Sequence, residues 1–160
     1  TRVGVLYDRQ SEFLLEELQQ AASEQGVEIV AQDWSDTRNN QALNTLLHAS
    51  DVLLAIADDD LYNPLTAKAL LLTSYSKQRA LIGPSAGFVR AGSLASTYSD
   101  QDDWLATLGP LLDQAPSQWP AGTYSNTFTV LGNPQVARTL GITLPSDEQL
   151  ARYLSQGDTP

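Results

Sequence analysis

Val52-Leu-Leu-Ala-Ile-Ala57 is an unbroken apolar run that stops at Asp58-Asp-Asp60, and Asn63-Pro64 follows it closely. A short apolar run ended by polar residues reads as a buried strand, and Asn before Pro reads as a helix cap followed by a first helical position, where the missing N–H costs nothing. The run is therefore the strand of a strand–loop–helix unit, with its helix continuing to about Lys77. The same unit recurs on both sides. Arg2-Val-Gly-Val-Leu-Tyr-Asp8 is a strand; Ser11 caps a helix in which Leu14, Leu18 and Ala22 recur at four-residue spacing before Gly26; and Val27 to Val30 is the next strand. A helix starting at Asp36 or Thr37 carries Ala42, Leu43, Leu46 and Leu47. Downstream, Ala80 to Gly83 is a fourth strand, Ser85 to Ala91 a helical turn ended by Gly92, and Leu94 to Tyr98 a fifth strand. Strand and helix thus alternate five times, which predicts an α/β, doubly wound parallel sheet with helices on both faces and the flavodoxin-like order 2-1-3-4-5.

After Ser99 the rhythm changes. Asp100 to Leu112 has helical composition, although Gly109-Pro110 should kink or split it, and Ala115 to Asn126 reads as a connection. Phe128 to Leu131 is a strand, Asn133-Pro134 a second cap and first position, and Pro145 to Ser155 a last helix. The 160 residues form one α/β domain, with 100–126 as crossover helix and linker and 127–160 as returning strand and helices.

Composition narrows the function. Nine Lys and Arg face nineteen Asp and Glu, giving a net charge of −10 and a pI near 4.2, which excludes a nucleic acid as an expected partner. With no cysteine there are no disulfides, thiolate metal sites or cysteine nucleophiles. The sequence also lacks methionine, so Thr1 reads as the start of a processed or excised piece.

In an open parallel sheet, ligands bind beyond the carboxyl ends of the strands. The residues there are Tyr7, Asp8 and Arg9; Asp33 and Trp34; Asp58, Asp59, Asp60 and Tyr62; Pro84 and Ser85; and Tyr98, Ser99 and Asp100. This acidic and aromatic rim suits a ligand with an ammonium group and an apolar or ring portion. The competing reading is that polar residues end strands because loops face water. Gly83-Pro84-Ser85-Ala86-Gly87 matches the nucleophile elbow of serine hydrolases, but His48, the one histidine, lies upstream in the second helix; the alternative is that Ser85 caps a helix and the glycines serve tight turns. Asp58 to Asp60 also raises Mg²⁺ binding or a phosphate-accepting receiver domain, although Asp8 stands alone and no lysine is placed for that role. No nucleotide-binding glycine motif is present, and no cofactor is expected.

Taken in order, Arg2 to Asp8, Leu53 to Asp60, Asn63-Pro-Leu-Thr-Ala, Ile82-Gly-Pro-Ser, Phe88-Val-Arg-Ala-Gly-Ser-Leu-Ala-Ser-Thr-Tyr-Ser99 and Asn133 to Pro145 resemble one family. They are similar to the C-terminal half of substrate-binding components of ABC transporters, in the type 1 periplasmic-binding-like family whose relatives take aromatic amino acids. The resemblance implies a two-lobed α/β protein that closes on a small solute, hands it to an ABC permease and works in the periplasm or another extracytoplasmic place, lipid-anchored in some full-length forms. It implies no catalysis. It further implies that the N-terminal lobe is missing here and that the segment from Asp100 to Leu112 crosses to that lobe, which would leave its Trp104, Leu105, Leu108 and Leu112 side to self-associate, the favoured outcome, or to fold back onto the domain. Carried over position by position, Asp58 is the partner of a ligand amine, with Asp59 and Tyr62 beside it. Ser85 lies in the loop after the fourth strand, Tyr98 and Ser99 at the crossover, and Tyr7 and Asp8 after the first strand.

Overall fold

The computed structural model describes residues 1–120, 125 and 127–156; parts of the linker expected over 115–126 and of the C-terminal tail lie outside the described residues. Strands β1 (Arg2–Tyr7), β2 (Glu28–Asp33), β3 (Val52–Leu54), β4 (Ala80–Gly83), β5 (Ala95–Tyr98) and β6 (Thr129–Gly132) form one sheet in the order β2-β1-β3-β4-β5-β6. The first five are parallel in the order the alternation predicts, whereas β6 runs antiparallel to β5, with Ala95 opposite Gly132 and Tyr98 opposite Thr129.

Alternation of side chains along the strands sorts the core into two layers. On one face Leu6, Leu53 and Leu81 meet Leu43, Leu46 and Leu47 of α2 (Asn40–Ala49), Leu70 of α3 (Pro64–Ser76) and Phe88 of α4 (Ala86–Ala91). On the other, Val52, Ala80 and Ile82 meet Val136, Ala137 and Leu140 of α6 (Pro134–Leu140), while α1 (Leu15–Glu24) lies against Leu54 on the same side. Leu43, Leu46 and Leu47 are at most 2% exposed, and burying each contributes about 1.5–3 kcal/mol. Helix α2 can lie this close because β1 carries Gly4, where an added Cβ would sit 2.6 Å from Ser50 Oγ and 2.7 Å from Leu53 Cδ2.

The caps settle where helices begin. Asn39 Oδ1 accepts the amides of Gln41 and Ala42, so α2 starts there and not at Asp36 or Thr37; the Asp36 carboxylate is already turned onto the Arg38 amide and guanidinium. Asn63 caps α3 through the amides of Leu65 and Thr66, with Pro64 in first position as the sequence predicts. Gly26 (φ +66°) and Gly92 (φ +125°) follow the ends of α1 and α4 with backbones that favour glycine.

Helix α5 (Gln101–Leu112) is continuous through Gly109-Pro110, contrary to the expected split. Its surroundings are exposed, so solvent can satisfy the carbonyl that Pro110 leaves without a donor. None of its residues is buried, and Trp104, Leu105, Leu108 and Leu112 are 44–68% exposed. Because β6 is antiparallel to β5, the chain leaves and re-enters the sheet at one edge, the carboxyl ends of the parallel strands. The α5 excursion therefore projects from the edge where ligands are expected. Helix α7 (Asp147–Gln156) packs on β6, where Asp147 accepts the Gly132 amide at 2.8 Å.

Candidate functional site

The loops after β1 and β3 are tied into one unit at the carboxyl edge. The Asp8 amide donates to Ser11 Oγ at 3.1 Å, and the Ser11 hydroxyl donates to Asp58 Oδ2 at 2.5 Å. Asp58 Oδ1 accepts the amides of Asp60 and Leu61, each at 3.1 Å, and Gln10 Nε2 donates to Asp60. Ser11 is thus not the helix cap its position suggests; its hydroxyl is the bridge between the two loops. The Asp58 carboxylate is 8% exposed and takes three internal donors, leaving one of about four acceptor directions for a ligand. It lines, with Gln10, Ser11, Asp59 and Asp60, a notch of about 220 Å³. The notch's polar lining of three carboxylates, Gln10 and Ser11 suits the ammonium head group of an amino acid. Asn63 Nδ2 donates to the carbonyls of Asp59 and Asp60, fixing the acidic turn to the start of α3.

The remaining rim residues divide. Asp8 holds its own turn by accepting the Gln10 amide at 2.6 Å, and Tyr7 accepts the Trp34 amide on its carbonyl at 2.9 Å. Tyr98 and Ser99 line a separate shallow cavity of about 380 Å³ with Thr97, Phe128 and Leu154. Strand β4 lies between their strand and β3, about 10 Å across two strand spacings, so they do not join the Asp58 notch within this chain. Trp34, expected on the rim, is 2% exposed and belongs to the core, its indole N–H donating to Asn39 O at 3.0 Å. Asp33 is exposed, and the Ser35 hydroxyl and amide hold its carboxyl below the usual range.

Tyr62 is 5% exposed, donates its hydroxyl to Leu6 O at 3.0 Å and meets Phe88 edge-on with ring centroids 6.4 Å apart. Burial, with a smaller contribution from the Asp58 charge, pushes its phenol well above the ordinary value near 10. Folding therefore favours the protonated ring, and the stability this gives is whole below pH ~10 and falls as pH rises towards the folded-state value. In an alkaline absorbance titration, Tyr62 should stay protonated well above pH ~10, and Tyr62→Phe should remove that late step and flatten the alkaline loss of stability. A native-state titration with no step that Tyr62→Phe removes above pH ~10 would contradict this burial.

The serine-hydrolase alternative loses its base. Ser85 Oγ caps α4 by accepting the Phe88 amide at 3.5 Å, and an added Cβ at Gly83 would meet Phe88 Cβ at 2.6 Å and Ser93 Oγ at 2.7 Å, so that glycine serves packing. His48 is exposed near the end of α2, which runs towards the amino end of β3, whereas Ser85 follows the carboxyl end of β4; the two lie at opposite sheet edges. A fluorophosphonate probe should leave Ser85 unlabelled, and stoichiometric labelling would reinstate an activated nucleophile. Among the described residues, no group of three acidic, histidine or cysteine side chains converges to hold a metal, Asp58 to Asp60 included. No described helix is long and apolar enough to cross a membrane.

No protein-family model and no curated protein matches the sequence. Solved structures do match in shape. An ABC domain in complex with L-Trp from Streptococcus pneumoniae superposes with a TM-score of 0.73 at 21% identity, covering 94% of this chain and 53% of that one. The ligand-free, open structure of a substrate-binding protein with adhesive properties from Clostridium difficile gives 0.70 at 21%, covering 92% and 52%. A conserved domain protein from Vibrio cholerae gives 0.69 at 20%, covering 94% and 53%. The chain spans about half the length of each, and it shares the α/β fold of the half that it covers.

Proposed function

We propose that this chain is the solute-binding half of an extracytoplasmic substrate-binding protein that serves an ABC importer, with an amino acid bearing a large apolar side chain as its solute. The observation that carries the reading is the coincidence, at one sheet edge, of the acidic notch and the projecting apolar helix α5. The notch accepts an ammonium group; α5 offers the apolar side of Trp104, Leu105, Leu108 and Leu112 to a second lobe. Superposition on about half of an L-Trp-bound chain supports the same arrangement. Asp58 is the ammonium partner, flanked by Asp59, with Asp8 shaping the loop beside it. Ser85, at the end of the adjacent strand, faces the solute; Tyr98 and Ser99, outside the notch itself, reach it only across the closed two-lobed site, while Tyr7 and Tyr62 hold the floor.

The permease is the partner of the loaded protein, and a second lobe closes the site. In the absence of that lobe, α5 is the surface through which copies of the chain self-associate. Losing a charge-assisted partner costs about 1.5–3 kcal/mol, or roughly 10–150-fold in affinity. In protein carrying both lobes, Asp58→Asn should weaken L-tryptophan binding by that factor in calorimetry. Unchanged affinity would remove Asp58 from the site.

A further inference from the structure

Beside the strand-end site, and sharing only Tyr62 and Ser85 with it, the flank of the sheet carries a second cavity. Helix α3 is apolar nearly all round, with Lys68 its one charged residue between Pro64 and Ser76, a composition suited to a helix covered on every side. Its neighbour α4 has only 6 residues against the 13 of α3 and covers part of that surface. Between them lies a groove of about 660 Å³, lined by Tyr62, Lys68, Leu71, Leu72, Ser85 and Phe88 among others, and Leu72 is 61% exposed beside it. That volume is within the range of small-molecule sites.

The polar groups of the groove are donors. The Tyr62 hydroxyl is turned away onto Leu6 O. Ser85 Oγ accepts the Phe88 amide, which leaves its own proton to donate, and Lys68 has no carboxylate within ion-pair distance among the described residues. No acidic side chain lines the groove, although the sequence has nineteen acids against nine bases. From this we infer that the α3–α4 groove is a second ligand site, for a compact apolar anion of the aryl carboxylate class. The ring lies against Leu71, Leu72 and Phe88, and the carboxylate accepts from the Lys68 ammonium and the Ser85 hydroxyl. Its charge preference is opposite to that of the acidic notch, which separates the two sites experimentally.

The test is an amide-resolved NMR titration of the whole chain with indole-3-acetate and with tryptamine, which share a ring and differ in the sign of the head group. Indole-3-acetate should shift the amides of Lys68, Leu71 and Phe88 saturably, and tryptamine should not. Lys68→Gln, at an exposed position, should weaken the effect about tenfold, and Ala91→Phe, which places a ring in the groove from its exposed rim, should abolish it, both with unchanged melting temperature. Equal shifts from the two compounds would reduce the groove to a non-specific apolar patch. Amides of α3 and α4 that move with protein concentration alone would assign the groove to a second copy of the chain; either result overturns the proposal. Movement at Gln10, Ser11 and Asp60 reports on the strand-end reading instead, so failure of one leaves the other standing.

Discussion

Trp34→Ala should destabilise the chain by about 4 kcal/mol, because a fully buried aromatic truncated to alanine typically costs ~3–5 kcal/mol through lost transfer energy and the cavity left behind. Trp34 is 2% exposed, packs with Leu6, Leu43 and Leu46, and joins the end of β2 to the start of α2 through its bond to Asn39 O. With a urea m-value of about 2 kcal/mol/M, the midpoint should fall by roughly 2 M. Trp34→Phe should recover part of the loss, since the smaller ring refills most of the cavity but leaves a gap and omits the part-buried bond to Asn39 O. The result also separates two roles for this aromatic. A midpoint that hardly moved, with solute binding altered, would return Trp34 to the ligand rim where its sequence position had suggested it.

Trp34 shows why the fold was more legible than the site. The strand–helix alternation depends on runs of apolar residues and on caps, which are local, so Asn63-Pro64, Asn133-Pro134 and the order of the first five strands could be read directly. Whether a residue after a strand faces a ligand or the core depends on how the next helix packs. Sequence position alone cannot distinguish Trp34, under α2, from Asp59, on the open notch. The Ser11–Asp58 bond spans 47 residues, and no pattern within either segment announces it. The antiparallel turn of β6 was hidden for a related reason: strand composition does not record direction, and only the excursion through α5 at one edge determines it. The α3–α4 groove had a partial signal, in that a 13-residue helix with one charge is paired with a helical turn of 6.

The second large effect concerns the chain by itself. A solute enclosed between two lobes gives each roughly half of its contacts, and the burial that excludes water requires both. This chain presents one wall: a notch of about 220 Å³ for the ammonium group, no opposing surface among the described residues, and α5 with its apolar side uncovered. Loss of half the contacts, about 3–4 kcal/mol, should weaken binding about 10²- to 10³-fold relative to the two-lobed protein. Both proteins should nevertheless rank amino acids in the same order if the notch contributes the ammonium recognition, because that term belongs to this half.

The most direct test is an amide-resolved titration of the chain with L-amino acids, L-tryptophan first, to tens of millimolar. The account predicts weak, saturable shifts at Gln10, Ser11, Asp59 and Asp60, with a Kd near the millimolar range and loss of the shifts in Asp58→Asn. Binding at micromolar concentration or tighter would contradict it by showing that one lobe is sufficient, and silence at those four amides with every amino acid would show that the strand-end notch is not a solute site.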